Sequence, residues 1–303
     1  MEVTHCGVCS TDAGLIDDKY GRSKFPLVAG HEAVGVVSAV GAEVTGLQIG
    51  TRVGVGATAG ACFHCEWCLR GQQQLCPDKD DTAFRGLGGG FASHVRASDW
   101  RYATPIPDSM TSGDAAPLLC AGATVFSAIV RHNVRPTDHV AVIGLGGLGH
   151  LAVQFLAKWG CHVTVISSTA AKRNDALELG AHDFLDSSEG LTQANGSFDF
   201  VLSTVSANLP WDTYLATLRP HGTLSMLGVF GGTMNIAPLS LILGERTLSG
   251  GLTGPPSMFR SMMEFADRHA IRPLTETYPV AAISRALDSV RNGTPRYRAV
   301  IEF

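Results

Sequence analysis

The sequence predicts an α/β protein in which a doubly wound parallel sheet is joined to a smaller, β-rich domain. Two observations carry this prediction: glycine-punctuated β-branched runs over residues 34–55, and strand-like runs alternating with helical patterns from residue 139 onward. Strands separated by helices of this length are typical of parallel βαβ units. The chain has 303 residues, 45% of them hydrophobic and 17% charged, which suits a folded protein of two domains.

The β-rich domain comes first along the chain. The runs at 34–40 and 50–55 alternate valine with glycine and are expected to form antiparallel strands joined by tight turns. Three segments are predicted: a first domain over 1–121, an α/β domain over 122–252, and a return segment over 253–303 that completes the first domain. The return segment is expected to hold helices at 258–270 and 281–291 and a closing strand at 298–303.

The domain over 122–252 is predicted to be α/β from its alternating periods. Apolar runs indicate strands at 140–143, 163–166, 198–203 and 223–227. Helical patterns lie between them at 147–159, 170–179 and 211–218.

Charge and hydropathy exclude several classes of function. With 23 Lys and Arg against 27 Asp and Glu, the net charge is -4, so no basic field exists to bind nucleic acid. The most apolar stretch, 140–157, is interrupted by glycines and polar residues, and no transmembrane segment or membrane partner is predicted. The first residues lack a secretory pattern, so we expect a cytoplasmic protein.

Half of the eight cysteines stand close together, with two, two and seven residues between them. Four thiolates on one short loop complete a closed tetrahedral zinc shell, which stabilises a loop and leaves no position for substrate. Ordinary reduced surface cysteines are the alternative, and this density argues against them. The predicted structural zinc ligands are Cys62, Cys65, Cys68 and Cys76.

Three other elements each offer one zinc-competent side chain, namely Cys9, His31 and Cys120. Two thiolates and one imidazole would leave a fourth position for substrate, as a catalytic zinc requires. Each residue alone has an ordinary explanation as a free thiol, a buried histidine or a small core residue. Their spacing in the sequence does not show whether the three side chains come together in the folded protein.

A glycine-rich turn follows the strand at 140–143 and opens the next helix. Without side chains, its backbone amides can approach a pyrophosphate at the helix N-terminus, and the strand–turn–helix context makes dinucleotide binding the favoured interpretation. The residues of this turn are Gly144, Leu145, Gly146, Gly147, Leu148 and Gly149.

The end of the following strand favours NADPH over NADH. Ser167, Ser168 and Thr169 stand where an NAD-preferring site places an acid, and Lys172 follows. Hydroxyls and a cation suit the 2′-phosphate of NADP(H). A polar helix cap beside a solvated basic turn is the alternative.

The chain resembles the zinc-dependent medium-chain alcohol dehydrogenases, in the cinnamyl-alcohol-dehydrogenase-like branch that includes bacterial NADPH-dependent aldehyde reductases. The resemblance runs nearly the whole chain and is carried by residues 5–12, 26–32, the four-cysteine loop, 144–150, 167–169 and 296–298. It implies a Rossmann fold joined to a GroES-like catalytic domain, two Zn²⁺ per chain and NADP(H).

The resemblance also implies residue roles. Cys9, His31 and Cys120 would bind the catalytic zinc, with Glu32 as an alternative ligand and Asp12 orienting His31. Thr11 would pass a proton to or from the substrate oxygen. Thr124 would touch the nicotinamide half of the cofactor and Arg298 its pyrophosphate.

Three departures from the family pattern are visible. Ser10 stands where many relatives carry a basic residue, and Gly14 stands where some carry a relay histidine, so water or ribose hydroxyls would continue the relay. Relatives also begin with further strands, and we expect these N-terminal strands to be missing here. We therefore expect an unpaired sheet edge beside Cys9, with lowered stability.

The sequence thus predicts a zinc-dependent oxidoreductase that transfers hydride between NADPH and aldehydes, forming primary alcohols reversibly. One alternative is a zinc-free reductase of the quinone type, which would have no use for the metal-ligand pattern. The other is a catalytically impaired, NADPH-binding fragment of such an enzyme. A homodimer is expected, paired through an edge strand near 246–252.

Overall fold

The computed structural model describes residues 1–303, apart from the side chain of Arg85. Its strands, in chain order, are β1 (Glu2–Val8), β2 (Ala33–Val36), β3 (Arg52–Val55), β4 (Thr58–Gly60), β5 (Asp80–Asp81), β6 (Thr104–Pro105), β7 (His139–Ile143), β8 (His162–Ser167), β9 (Asp183–Asp186), β10 (Phe198–Ser203), β11 (Leu218–Met226), β12 (Thr247–Gly250), β13 (Thr275–Pro279) and β14 (Arg298–Glu302).

The α-helices are α1 (Ser10–Ile16), α2 (Glu66–Leu69), α3 (Ser112–Pro117), α4 (Ala123–Arg131), α5 (Gly149–Trp159), α6 (Arg173–Glu178), α7 (Trp211–Ala216), α8 (Pro238–Ile242), α9 (Pro256–Arg268) and α10 (Ile283–Arg291). A π-helical turn, Leu118–Gly122, joins α3 to α4. The chain divides into two compact units: Met1–Ala123 with Thr253–Phe303, and Thr124–Leu252.

The first unit is built on a six-stranded sheet with the order β13-β14-β1-β2-β3-β6. As the sequence predicts, β2 and β3 pair antiparallel, with Ala33 opposite Val55. Alternating valines put one face of these strands into an apolar core that includes Val3, Val53 and Val55. The strands therefore form a packed base for the residues that follow β1 and for those that precede β2.

The expected unpaired edge beside Cys9 is wrong. Strand β1 lies inside the sheet, paired antiparallel with β2 on one side and with β14 on the other. The return segment supplies the missing neighbour, because β14 runs back along β1 with Val8 opposite Ala299. The backbone groups of the strand that leads to Cys9 are thus satisfied on both sides.

The second unit is a parallel sheet of six strands in the order β12-β11-β10-β7-β8-β9. This is the doubly wound strand order of dinucleotide-binding folds, which reverses direction between β7 and β10. The apolar runs predicted as strands are buried within it, and Trp211, Leu215 and Leu224 belong to its core. The sequence pattern missed β9 and the first half of β11, and the helix expected at 170–179 is a 3₁₀ turn followed by α6.

One continuous helical stretch, 112–131, is long and apolar enough to cross a bilayer by length and composition alone. Of its most apolar window, 72% is buried inside the protein. Such burial is typical of a core helix, and the apolar composition is accounted for by packing.

Candidate active site

The N-terminus of α1 places the first metal-competent thiol. Cys9 is the N-cap residue of this helix, in an extended conformation, and its side chain is buried. The backbone N–H of Cys9 donates to Asp12 Oδ2 at 2.9 Å, so the acid in the first turn closes the cap. This local contact fixes where Cys9 lies at the end of β1.

Asp12 also holds the second candidate ligand. Its Oδ1 accepts hydrogen bonds from His31 Nδ1 and from the backbone N–H of Gly30, both at 2.8 Å. Gly30 has a φ of +94°, and a Cβ there would come within 2.7 Å of the Phe91 nitrogen. One fully buried carboxylate therefore ties Cys9 and His31 together and leaves His31 Nε2 free to face a metal.

The third ligand comes from the π-helical turn. A π-helical turn has about one residue more than an α-helical turn. Here it places Cys120 Sγ 3.2 Å from His31 Nε2. The ligand atoms of Cys9, His31, Glu32 and Cys120 all lie within 4.8 Å of one another. The structure thus brings together the four residues that the resemblance implied, although spacing in the sequence had left their convergence open.

The residues of this cluster shift one another's pKa values. A hydrogen bond from Cys120 holds the pKa of Cys9 well below its usual value, against the opposing effect of burial, and His31 lowers it further. Burial alone would lower the pKa of His31, but the carboxylate of Asp12 and the thiol of Cys9 raise it well above its ordinary value. A buried thiolate beside an oriented imidazole is a ready zinc ligand set.

Glu32 and Arg298 form a fully buried ion pair behind the cluster, with Arg298 Nη2 donating to Glu32 Oε1. Burial raises the pKa of Glu32 to about 7, although the charge of Arg298 opposes this. Glu32 Oε2 is buried without a hydrogen-bond partner among the described residues, as is Arg298 Nε. A buried carboxylate with one unpartnered oxygen, and with an oxygen within 4.8 Å of two sulfurs and an imidazole nitrogen, fits a metal ion in this position.

The four-cysteine loop forms the second cluster. Cys62, Cys65, Cys68 and Cys76 place their sulfurs within 4.8 Å of one another, around the short helix α2. Cys76 Sγ lies 3.6 Å from Cys62 Sγ. A hydrogen bond from the His64 backbone helps to lower the pKa of Cys62 to about 6. Four convergent thiols fit a tetrahedral structural zinc, and the His64 ring is turned to the Cys62 carbonyl instead.

The glycine turn of the second unit has the geometry that a pyrophosphate needs. Gly144 has a φ of +88°, and a Cβ on Gly149 would come within 2.0 Å of the Gly144 carbonyl oxygen. Around Gly146, a Cβ would meet no atom within 4 Å, so the backbone there borders open space. The turn is therefore closed by glycines on its inner side and open where a phosphate would approach.

Residues predicted for the 2′-phosphate lie beside this turn. Lys172 Nζ donates to the Leu145 carbonyl oxygen at 2.7 Å, and Ser167 Oγ accepts from the Thr169 backbone N–H at 3.2 Å. Ser168 and Thr169 are exposed. Thr124 is nearly buried at the start of α4.

Sequence reasoning missed two features of the site. The pairing of Arg298 with Glu32 joins residues far apart in the chain, and no local signal announces it. Tyr20 packs over Gly14 in α1, beside Thr11. The glycine was a usable signal, because a glycine inside a helix often marks the close approach of another group.

Fold and site define a class: oxidoreductases that combine a GroES-like domain, a Rossmann domain, and thiolate and imidazole zinc ligands. Family models agree, since "Alcohol dehydrogenase GroES-like domain" matches residues 1–108 and "Zinc-binding dehydrogenase" matches residues 147–268. The chain belongs to the zinc-containing medium-chain alcohol dehydrogenases, in their cinnamyl-alcohol-dehydrogenase-like branch.

Individual relatives support this membership. Aldehyde reductase AdhA of Synechocystis sp. is 41% identical over 303 residues, which cover 99% of this chain and 90% of the relative. A cinnamyl alcohol dehydrogenase from Sorghum bicolor superposes with a TM-score of 0.92 at 34% identity, covering 99% of this chain and 88% of that one. A Helicobacter pylori relative, solved as a complex with NADP(H), has a TM-score of 0.88 at 26% identity, covering 99% and 89%.

These relatives confirm the predicted family, fold class and reaction class. The chain is an alcohol dehydrogenase or aldehyde reductase that uses zinc and a nicotinamide cofactor and acts on small-molecule alcohols or aldehydes. Identity along almost the whole chain argues against the alternative of a catalytically impaired fragment. The convergent zinc ligands argue against the zinc-free quinone reductase.

Proposed function

We propose that this enzyme reduces aldehydes to primary alcohols with NADPH, reversibly, and binds two zinc ions per chain. The catalytic site is assigned to Cys9, His31 and Cys120, and the structural site to the four-cysteine loop. The observation that carries the proposal is the buried convergence of two thiols, one imidazole and a carboxylate within 4.8 Å. Three protein ligands and an open position are the arrangement of catalytic zinc.

When bound, zinc supplies a Lewis acid for the carbonyl oxygen, and the nicotinamide ring supplies the hydride. The protein's own residues hold and orient these groups. Asp12 fixes His31 through Nδ1, and the same carboxylate caps the helix that carries Cys9. Thr11, on the first turn of α1, donates the proton that the substrate oxygen takes up. Glu32 stays within reach as an alternative ligand, its charge offset by Arg298.

Cofactor choice is assigned to the region around the glycine turn. The backbone of 144–149 receives the pyrophosphate, while Ser167, Ser168, Thr169 and Lys172 receive the 2′-phosphate. The Lys172 ammonium lies against Leu145 of the turn, and the end of β8 carries hydroxyls where a carboxylate would repel a second phosphate. Thr124 and Arg298 are assigned to the nicotinamide half and the pyrophosphate.

The proposal is tested by aldehyde-dependent oxidation of NADPH against NADH, with one aliphatic and one aromatic aldehyde. We expect a clear preference for NADPH. Cys9→Ala and His31→Ala should abolish turnover and lose one equivalent of zinc, whereas Cys161→Ala, which removes a buried thiol outside both clusters, should retain both. Lys172→Ala should chiefly raise the KM for NADPH. Equal rates with NADH, or a Cys9 variant with unchanged kinetics, would contradict the assignment.

We further propose a cytoplasmic homodimer that pairs through β12. This strand is an edge of the second sheet, and the neighbouring α8 segment exposes Leu239, Ile242 and Leu243 to 61%, 65% and 81%. An unpaired edge strand beside exposed apolar side chains is suited to pairing with a second copy. The mass in solution by light scattering tests this, and a Leu243→Glu variant should dissociate; a wild-type monomer would contradict it.

A further inference from the structure

The glycine turn after β7 has an uneven pattern of backbone hydrogen bonds. Among the described residues, the N–H groups of 145–147 donate to no acceptor. The carbonyl oxygens of 143–146, by contrast, each accept a hydrogen bond from a side chain. The C=O and the following N–H of a trans peptide plane point in opposite directions. Side chains that hold these carbonyls therefore also fix where the unpaired N–H groups point.

Thr204 holds the first two of these carbonyls. It follows directly after β10, the strand beside β7 in the sheet. Its hydroxyl donates to the Ile143 carbonyl oxygen at 2.9 Å and to that of Gly144 at 3.2 Å, and its backbone N–H donates to Ile143 at 3.0 Å. One proton shared between two acceptors is a three-centre hydrogen bond. Thr204 is thus attached to β7 at the point where the strand becomes the turn.

Two glycines of the turn leave room for this hydroxyl. A Cβ on Gly144 or on Gly149 would lie 3.2 Å from Thr204 Oγ1, which is closer than ordinary van der Waals contact. The Cβ on Gly144 would also meet Val205 Cγ1 at 2.5 Å. The Thr204 hydroxyl therefore occupies the closed, inner side of the turn, opposite to the open space around Gly146.

The next two carbonyls are held from other elements. Lys172 Nζ donates to Leu145, and His150 Nδ1, on the first turn of α5, donates to Gly146 at 3.0 Å. The backbone N–H of His150 also donates to Gly146, at 3.1 Å, so that carbonyl has a second donor. Only Thr204 holds the Gly144 carbonyl among the described residues. The peptide plane that carries the Leu145 N–H therefore depends on Thr204.

We propose that Thr204 is a positioning residue for the pyrophosphate of the cofactor. This rests on the proposed binding of NADP(H) at the glycine turn. By holding the Gly144 carbonyl on the inner side, Thr204 directs the Leu145 N–H to the outer side, where the phosphate approaches. Donors that are oriented before binding need no ordering when the anion arrives, which raises affinity. Thr204 acts through the turn, and the backbone makes the phosphate contacts.

Thr204→Val tests this role because it keeps the shape of the side chain and removes the hydroxyl. We expect the Kd of both NADPH and NADH to rise by about tenfold, since both carry the pyrophosphate, with kcat at saturating cofactor unchanged. Thr204→Ser keeps the hydroxyl and should restore affinity. Thr217→Val is the matched control, because the buried Thr217 hydroxyl donates to the Tyr214 carbonyl at 2.7 Å, away from the turn. Fluorescence of the reduced cofactor measures binding without turnover.

A ligand without the pyrophosphate separates positioning from a general loss of folding. The Kd of 2′-AMP should be the same in the wild type, in Thr204→Val and in Thr204→Ala, which removes the hydroxyl without crowding the turn. Unchanged dinucleotide affinity in both variants, or an equal loss of affinity for 2′-AMP, would overturn the positioning role. A wild type that binds NADH but neither NADPH nor 2′-AMP would overturn the proposed cofactor choice instead, and the Kd of NADH in Thr204→Val would still test Thr204.

Discussion

Asp12 is the residue on which the geometry of the candidate zinc site depends. Its two carboxylate oxygens accept from three donors in two segments of the chain: the Cys9 N–H in one, and the Gly30 N–H and His31 Nδ1 in the other. A fully buried carboxylate with three charge-assisted hydrogen bonds is well satisfied. The same contacts set the tautomer of His31, so that Nε2 is the nitrogen presented to the metal.

We therefore expect Asp12→Asn to weaken zinc binding by about 10- to 100-fold, the usual range for losing an orienting partner of a ligand. The amide keeps the shape but offers one oxygen to three donors, and it no longer favours the charge on His31. Competition with a chromophoric chelator measures the affinity. Asp114→Asn, at the exposed cap of α3, is the matched control; equal zinc affinity in the two variants would contradict the role given to Asp12.

At the residue scale, the sequence selected side chains that the structure brings together, but it did not indicate all of their partners. Cys9, His31, Glu32 and Cys120 could be selected because thiols and imidazoles beside glycine turns are uncommon and resemble a family pattern. The contact of Arg298 with Glu32 could not, because it depends on β14 lying beside β1. Tertiary packing decides such long-range pairing, and the hydrophobic periodicity of the sequence does not predict it.

Among the elements, the four-cysteine loop contains little regular structure of its own. It holds only the four-residue helix α2 and a short 3₁₀ turn, and Leu69 on α2 is 76% exposed. So little apolar burial cannot offset the conformational entropy of the loop. The zinc ion proposed for its four convergent thiols would supply the missing stabilisation.

We expect Cys76→Ser to lose the structural zinc and to increase amide hydrogen exchange across 62–76. The strands of the second unit, such as β7 and β8, should exchange as before. Mass spectrometry after proteolysis resolves the segments, and elemental analysis counts the zinc. Cys161→Ser is the matched control, because it removes a buried thiol outside both cysteine clusters. Unaltered exchange in the loop after loss of the zinc would show that the loop folds without metal.

The elements that could be predicted were those with a local hydrophobic pattern in the sequence. The run at 198–203 coincides with β10, and the helix expected at 147–159 differs from α5 by two residues at its start. The π-helical turn carrying Cys120 was not foreseen, since Leu118–Gly122 reads as ordinary apolar helix. Strand β1 was recognised, but its pairing was misjudged because β14, its second neighbour, comes from the far end of the chain.

At the scale of the whole molecule, histidines couple stability to pH. Burial lowers the pKa of His5 and of His132, one in each compact unit. His132 packs its ring against Phe200 at 5.5 Å between centroids. Both residues are therefore held neutral in the folded protein at pH values where the unfolded chain already binds protons.

For these groups the unfolded state binds more protons than the folded state below the ordinary histidine pKa of 6.5. The contribution of these two histidines to stability is therefore expected to fall as the pH drops below about 6.5 and to be constant above it. His132→Gln should reduce the difference in urea midpoint between pH 7.5 and 5.5, while the exposed His94→Gln should not. An equal pH dependence in both variants would contradict the assignment to His132.

The return of β14 to the side of β1 also bears on how the enzyme is made on the ribosome. The second unit is one uninterrupted segment, 124–252, and can complete its fold while later residues are still being translated. The first unit cannot, because β1 gains its second neighbour and Glu32 gains its cation only when residues 298–302 emerge. Until then Cys9 and His31 belong to an unfinished sheet. The candidate zinc site is therefore expected to form only after residues 298–302 have emerged, and a nascent chain stalled before residue 298 should take up less zinc there than a chain that includes β14.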